Sequence, residues 1–212
     1  MKYIDSIKKR LTKAINKRKY KNLNFAFVAN NCWAAEVYKL YVKEFNTPFI
    51  GLYILAPDYI KLLEDFDTYM KTKLEFVENK DFNFPIGRLN DIEIHFMHYH
   101  SEEEARDKWE RRTKRFLEFS AQNPNQVFFK MCDRDGGTAD LLRRFHNTKH
   151  KNKISFSIVE NSIESDNNFI FTERKDGPAV NGLGLFYITL PFYNLSKWLT
   201  TGKLEKRRKY KP

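Results

Sequence analysis

Three short stretches hold the side chains that could do chemistry. The first is Asn30-Asn31-Cys32-Trp33, which follows the apolar run Leu23–Ala29 and precedes Trp33, Val37, Leu40 and Tyr41 at helical spacing. An unbroken apolar run reads as a buried strand and the 3–4 spacing as a helix over Asn31–Glu44. Cys32 therefore falls in the first turn of a helix that Asn30 or Asn31 caps. Unpaired N–H groups and the positive end of the helix dipole favour a thiolate there, the state in which a cysteine is a nucleophile. The same residue also reads as a small buried hydrophobe, the usual role of a lone thiol.

The second stretch is Ile92–His100, where apolar and polar residues alternate. Strand alternation puts Ile92, Ile94, Phe96, His98 and His100 on one face, with Glu93, His95, Met97 and Tyr99 on the other. His98 is the candidate base, and His95 points the other way as a structural histidine. The third stretch, Asp133-Arg134-Asp135-Gly136-Gly137, follows the strand Gln126–Cys132. In open α/β sheets sites gather beyond the C-terminal ends of strands, and three such ends here carry Cys32, His98 and Asp133 in that order. A thiol needs a base, and the base needs a carboxylate or amide to fix its tautomer, so the expected catalytic set is Cys32, His98 and Asp133. Asn31 or the Cys32 amide would hold an oxyanion. Arg134 and Arg112 are candidate substrate-binding cations, although Arg112 sits well along the helix that follows His98. The second chemistry open to these residues uses Asp133 and Asp135 as oxygen ligands for Mg or Mn, the Asp-X-Asp pattern that holds a nucleotide-sugar in many glycosyltransferases. Otherwise no cofactor is expected, because no Gly-rich phosphate loop of Walker or Rossmann spacing occurs.

The elements that must position these residues alternate between strand and helix. After the first helix, Phe49–Leu55 reads as a strand, Pro57 through about Met70 as a helix, Leu74–Val77 as a short strand and Phe82–Leu89 as a loop or edge. Ser101 with Glu104 forms a capping box for a helix running to about Ser120, with Trp109, Phe116 and Phe119 facing the core. Thr138 caps a short helix to about His146, and Lys153–Val159 is a further strand. Beyond 160, Asn168–Glu173 and Leu185–Leu190 look like strands around the loop 176–184, and Phe192–Leu199 forms a last helix. The alternation predicts an α/β fold, a three-layer α/β/α domain with a mixed, largely parallel sheet and helices on both faces. The expected organisation is a basic amphipathic helix over 1–21, a core over 22–160, an extension of it over 161–202 and a basic tail over 203–212.

Composition narrows the partners. The net charge is +11, but residues 1–21 hold nine Lys/Arg against one Asp and residues 203–212 hold six against one Glu, which leaves −2 for the body. A nucleic-acid enzyme carries its basic residues around the working cleft, so nucleic acid is excluded as a partner. Basic ends suit an anionic membrane surface or plain solubility. No window approaches the about 18 apolar residues of a membrane span, and Met1–Lys21 is too charged for a secretory signal. Two cysteines, Cys32 and Cys132, form no disulfide framework and suit a reducing cytosol.

Taken together, Asn30-Asn31-Cys32-Trp33, Asn46-Thr47-Pro48-Phe49-Ile50-Gly51-Leu52, Pro57-Asp58-Tyr59, Pro85-Ile86-Gly87, Ile92-Glu93-Ile94-His95-Phe96, residues 101–112 and Cys132-Asp133-Arg134-Asp135-Gly136 resemble an uncharacterised bacterial family whose members are often labelled exopolysaccharide biosynthesis proteins. The likeness covers residues 24–160. It implies an α/β/α fold and a cytoplasmic role, at the inner face of the membrane, in making capsule, exopolysaccharide or lipopolysaccharide. This chain has Ala35-Glu36 where Gly-Glu is the expected family pattern. A fainter likeness, through Cys32-Trp33, Pro48-Phe49, His98 and Arg111–Phe116, is to papain-like cysteine enzymes. The expected function is thus thiol-dependent acyl transfer to a glycan from an activated acyl donor. The alternatives are metal-dependent glycosyl transfer from a sugar donor and a non-catalytic membrane-associated binding protein.

Overall fold

A computed structural model of the chain describes residues 14–172 and 180–207. Four strands, β1 (Ala26–Ala29), β5 (Val127–Cys132), β6 (Asn152–Ser157) and β7 (Asn168–Ile170), form a parallel sheet in the order β1-β5-β6-β7. Three more, β2 (Glu75–Val77), β3 (Ile86–Leu89) and β4 (Ile92–His95), form a small antiparallel sheet. Helices α1 (Trp33–Tyr41), α6 (Gly182–Thr189) and α7 (Leu195–Thr201) cover one face of the parallel sheet. Helices α2 (Ala56–Glu64), α3 (Phe66–Lys71), α4 (Glu102–Gln122) and α5 (Ala139–Asn147) cover the other. The expected α/β architecture is the one found, with its antiparallel part set apart as a separate sheet.

The layering follows from strand alternation. Successive side chains point to opposite faces, so Ala26, Val28, Val127, Phe129 and Met131 join the core under α2–α5. Phe27, Ala29, Phe128, Cys132, Ile154 and Phe156 join the core under α1, α6 and α7. Trp33 and Trp198 are buried in that second core, Trp33 against Phe27 and Trp198 against Phe27 and Phe128.

Several local expectations need correction. Residues 49–55 form no strand; the segment is extended and bridges two edges. Tyr53 exchanges main-chain hydrogen bonds with His95 at 3.0 and 2.9 Å, and Ile54 N donates to Asn30 O at 2.9 Å. It thereby ties the small sheet to the end of β1. The strand at Ile92 stops at His95, because Phe96 N turns to Pro85 O and Tyr99 N to Phe96 O. The alternation therefore fails beyond that point: Met97 is exposed, Tyr99 and His95 are buried. Ile86–Leu89, read as loop or edge, is strand β3, and the helix begun at Pro57 breaks at Asp65 into α2 and α3. The largest correction is 185–190, which is helix and not strand: Asn181 Oδ1 accepts from Gly184 N at 2.9 Å and starts α6. A short apolar run has no period with which to choose, and here the cap decides.

Thr138 and Ser101 cap their helices as expected, each accepting from the N–H three residues on. The capping box at Ser101 is offset by one, since Glu104 Oε2 accepts from His100 N. Residues 14–19 are helical and pack at the C-terminal end of α1, where Asn16 Nδ2 donates to Leu40 O. Ile4, Ile7 and Leu11 of the expected amphipathic helix lie outside the described residues, as do 208–212 of the basic tail. Among the described residues no helix is long and apolar enough to cross a membrane.

Candidate functional site

The site is built where β1 and β5 end side by side. β1 runs into Asn30 and Asn31, both buried, and Cys32 is the N-cap of α1. Its φ and ψ are already helical and its side chain makes no cap; Asn31 Oδ1 instead accepts from Trp33 N. β5 carries Lys130, whose side chain is fully buried. Lysine is almost never found inside unless its amino group is satisfied. Here Nζ donates to Asn31 Oδ1 at 2.8 Å, Asn30 Oδ1 at 3.1 Å and Cys132 Sγ at 3.1 Å. With both oxygens held by Lys130, the Asn31 amide must aim Nδ2 outward, and it donates to Cys132 Sγ at 3.1 Å and Asp135 Oδ2 at 3.3 Å. From sequence Lys130 has no assigned role, and Asn30 only that of a helix cap. The signal was present: a lysine inside Val127-Phe128-Phe129-Lys130-Met131-Cys132, a strand with no other polar residue.

Above this cluster opens a cavity of about 440 Å³. Asn31 and Cys32 line it from β1 and α1, and Tyr53 from the bridging segment. Met97 and His98, Arg134 and Asp135, and residues 180–183 at the start of α6 complete it. His98 is placed by its own N–H, which donates to Gly51 O at 3.0 Å. Asp135 is placed by a tight turn: it takes φ 60° and Gly136 φ 82°, while its carbonyl accepts from Ala56 N at 2.8 Å. Gly182 lies so close that a Cβ would stand 2.9 Å from Trp33 N, 3.0 Å from Asn31 Oδ1 and 3.1 Å from Cys32 N. Gly182→Ala should therefore lift α6 off α1 at about 1–3 kcal/mol. Chemical denaturation checks this, and an unchanged midpoint would contradict the close packing.

The expected residues divide into two groups. Asn31, Cys32, His98, Arg134 and Asp135 share the cavity. Asp133 does not line it; its Oδ2 accepts from Ile158 N at 2.8 Å and Asn161 Nδ2 at 3.3 Å, tying β5 to the turn after β6. Burial there raises the Asp133 carboxyl. Arg112 does not line it either: it donates to Tyr99 Oη at 2.9 Å and lies over the Phe45 ring. The thiolate expectation for Cys32 is corrected as well. Burial pushes its thiol up, against the opposing pull of Lys130, because Sγ faces Leu52 O at 3.8 Å and Met97 Sδ at 3.9 Å. Neither contact stabilises a negative sulfur. No hydrogen bond joins Cys32 to His98 among the described residues, and no group of three or more His, Cys, Asp or Glu side chains gathers there for a metal. The Asp133–Asp135 pair expected to share an ion is split between two sets of partners.

The family model described as domain of unknown function (DUF1919) matches residues 3–181. The chain belongs to this family. An uncharacterized protein of Haemophilus influenzae (strain ATCC 51907 / DSM 11121 / KW20 / Rd) is 37% identical over 140 residues, which are 66% of this chain and 65% of the relative. The match thus spans just under two thirds of that protein's length. The DUF1919 region contains the cavity residues contributed by β1, α1, the bridging segment and the β5 turn; Gly182 and Leu183 follow it directly.

Proposed function

We propose that this DUF1919 protein is a transferase working by thiol chemistry at Cys32, passing an acyl group to a hydroxyl of a bacterial surface glycan. The observation that carries the reading is the shared cavity of Cys32, His98 and Asp135 at the C-terminal ends of β1 and β5. A concave site with mostly apolar walls and a few convergent polar groups suits a small activated donor. The surface-polysaccharide setting, in the cytoplasm at the inner face of the membrane, comes from the family resemblance.

Because burial holds the thiol protonated, the proton leaves during attack. The His98 imidazole takes it as Sγ bonds to the acyl carbon of an ester or thioester donor. The Cys32 N–H, which has no hydrogen-bond partner among the described residues, meets the developing oxyanion. Asn31 is unsuited to that task, since its amide is committed to Cys132 and Asp135. Collapse breaks the bond to the leaving group, which departs with the proton from His98. The glycan hydroxyl then attacks the Cys32 thioester, giving its proton to His98 while the free thiol is restored. Asp135, which shares the cavity with His98, takes in this reading the orienting role first expected of Asp133. Glycosyl transfer with Mg or Mn has less support, because Asp135 faces the cavity while Asp133 is bonded elsewhere.

The test is acylation by an activated acyl ester, followed by intact mass and peptide mapping. Acyl-Cys32 should accumulate in the wild type and in Cys132→Ser, be absent in Cys32→Ala, and form about 10²–10⁴-fold more slowly in His98→Ala. A folded protein whose Cys32 is not acylated, or is acylated at the same rate without His98, would end this reading.

A further inference from the structure

Aromatic rings continue from the cavity wall across the small sheet. Tyr53, which lines the cavity, stacks on His95 with centroids 4.4 Å apart and planes 12° apart. Phe82 meets His95 edge-on at 5.6 Å, Phe82 and Phe84 stack at 5.0 Å, and Phe84 returns to Tyr53 at 6.3 Å. The rings are presented by a fixed loop: Asn79 Oδ1 accepts from Asp81 N and Phe82 N at 3.0 Å, and its Nδ2 donates to Phe84 O at 3.0 Å. Phe82 is 44% exposed, so part of its ring is open to solvent. Beneath these rings His95 is only 4% exposed, yet neither ring nitrogen has a hydrogen-bond partner among the described residues. An unsatisfied buried polar group is costly, about 1–3 kcal/mol, and calls for an explanation. On the far side of Phe82 and Phe84 lies a second depression of about 250 Å³, which His100 and Glu102 also line. The Glu102 carboxylate makes no hydrogen bond or ion pair among the described residues.

We propose that Tyr53, Phe82 and Phe84 form a track for uncharged pyranose rings, leading from the cavity into the second depression, where Glu102 accepts their hydroxyls. This deepens the transferase reading and rests on it, since it supplies the subsite of the acceptor glycan. The C–H face of a pyranose is apolar and stacks on an aromatic ring, while its hydroxyls require polar partners at the rim. An aromatic pair beside an unbonded carboxylate offers both. Glu102, followed by Glu103 and Glu104, repels a phosphate, so a nucleotide fits this depression poorly. A protein partner would bury about 800 Å² on each side, whereas the large apolar side chains exposed along this track and in the cavity it leaves are Phe82, Met97 and Leu183. A hydroxyl reaching His95 would also satisfy its orphaned imidazole.

The test is saturation-transfer NMR on the full chain with the methyl pyranosides of glucose, galactose and N-acetylglucosamine as probes, and methyl phosphate as the charged control. At least one pyranoside should receive saturation at its ring C–H protons. Binding should weaken about tenfold or more in Phe82→Ala and in Glu102→Gln, and Glu102→Gln, which changes an exposed side chain, should keep the wild-type melting temperature. Cys32→Ala should bind the sugar like the wild type, so loss of the thiol chemistry and loss of this subsite are read separately. Absence of transfer to every pyranoside, preference for methyl phosphate, or undiminished binding by Phe82→Ala would overturn the proposal.

Discussion

Replacing Lys130 with alanine is expected to remove about 3–5 kcal/mol of folding stability, read as a lower denaturant midpoint at unchanged slope. Two losses combine. The fully buried lysine stem leaves a void between β1, β6 and the start of α1 that the sheet cannot close. The oxygens of Asn30 and Asn31, at 3.1 and 2.8 Å from Nζ, lose their charged donor, and Asn31 Oδ1 keeps only the longer bond from Trp33 N at 3.4 Å. Lys130→Met separates these effects. Methionine fills most of the stem, so only the loss of the charged donor to the two amides remains, at about 1–3 kcal/mol. The consequence extends to the site, because Lys130 fixes which way the Asn31 amide faces and hence its bond to Asp135. With total stability ordinarily near 5–15 kcal/mol, the alanine variant should be close to unfolding at growth temperature. A change below about 1 kcal/mol would show that Lys130 is not the post on which the two strand ends are hung.

Acidification is expected to destabilise the fold steeply between pH 6.5 and about 4. His146 Nε2 lies 2.8 Å from the buried Ser155 hydroxyl, and burial together with neighbouring Lys153 lowers its pKa to about 4. In the unfolded chain the same imidazole titrates near 6.5. Between those values the unfolded state binds the proton that the folded state refuses, so stability rises with pH through this window. The contribution is fully present above pH 6.5 and disappears as pH falls toward the folded pKa. It amounts to about 2–3 kcal/mol after allowance for the partial exposure of the ring. His95 and His150, both lowered by burial, act in the same direction. Denaturant midpoints measured from pH 7.5 to 4 should show a clearly shallower fall in His146→Gln than in the wild type. Parallel curves would mean that the folded ring accepts its proton freely.

Both expectations rest on polar side chains inside strands, and such residues mark the line between what the sequence dictates and what folding decides. The apolar runs at 26–29 and 127–132 determine buried parallel strands, because no other element hides so many apolar side chains on both faces of a short segment. The caps Ser101 and Thr138 determine where α4 and α5 begin, since capping is a bond between residues three apart. Cys32 at the start of α1 and His98 beyond the end of β4 are likewise local facts, and both were legible before any tertiary contact was known.

What tertiary structure alone decides is environment and direction. Asp133 and Asp135 are equivalent to the eye in Asp133-Arg134-Asp135, but the positive φ of Asp135 and Gly136 turns one toward the cavity while Ile158 and Asn161 claim the other. The helix start at Cys32 favours a thiolate, yet burial beside Leu52 and Met97 outweighs it, because desolvation depends on neighbours distant in sequence. Residues 182–189 are helical through the cap of Asn181 and their packing on α1, where periodicity is silent. Short-range bonds are written in the order of residues; the orientation of a carboxylate, the dryness of a thiol and the partners of a buried lysine are set by segments about 20 to 150 residues apart, which meet only once the sheet has formed.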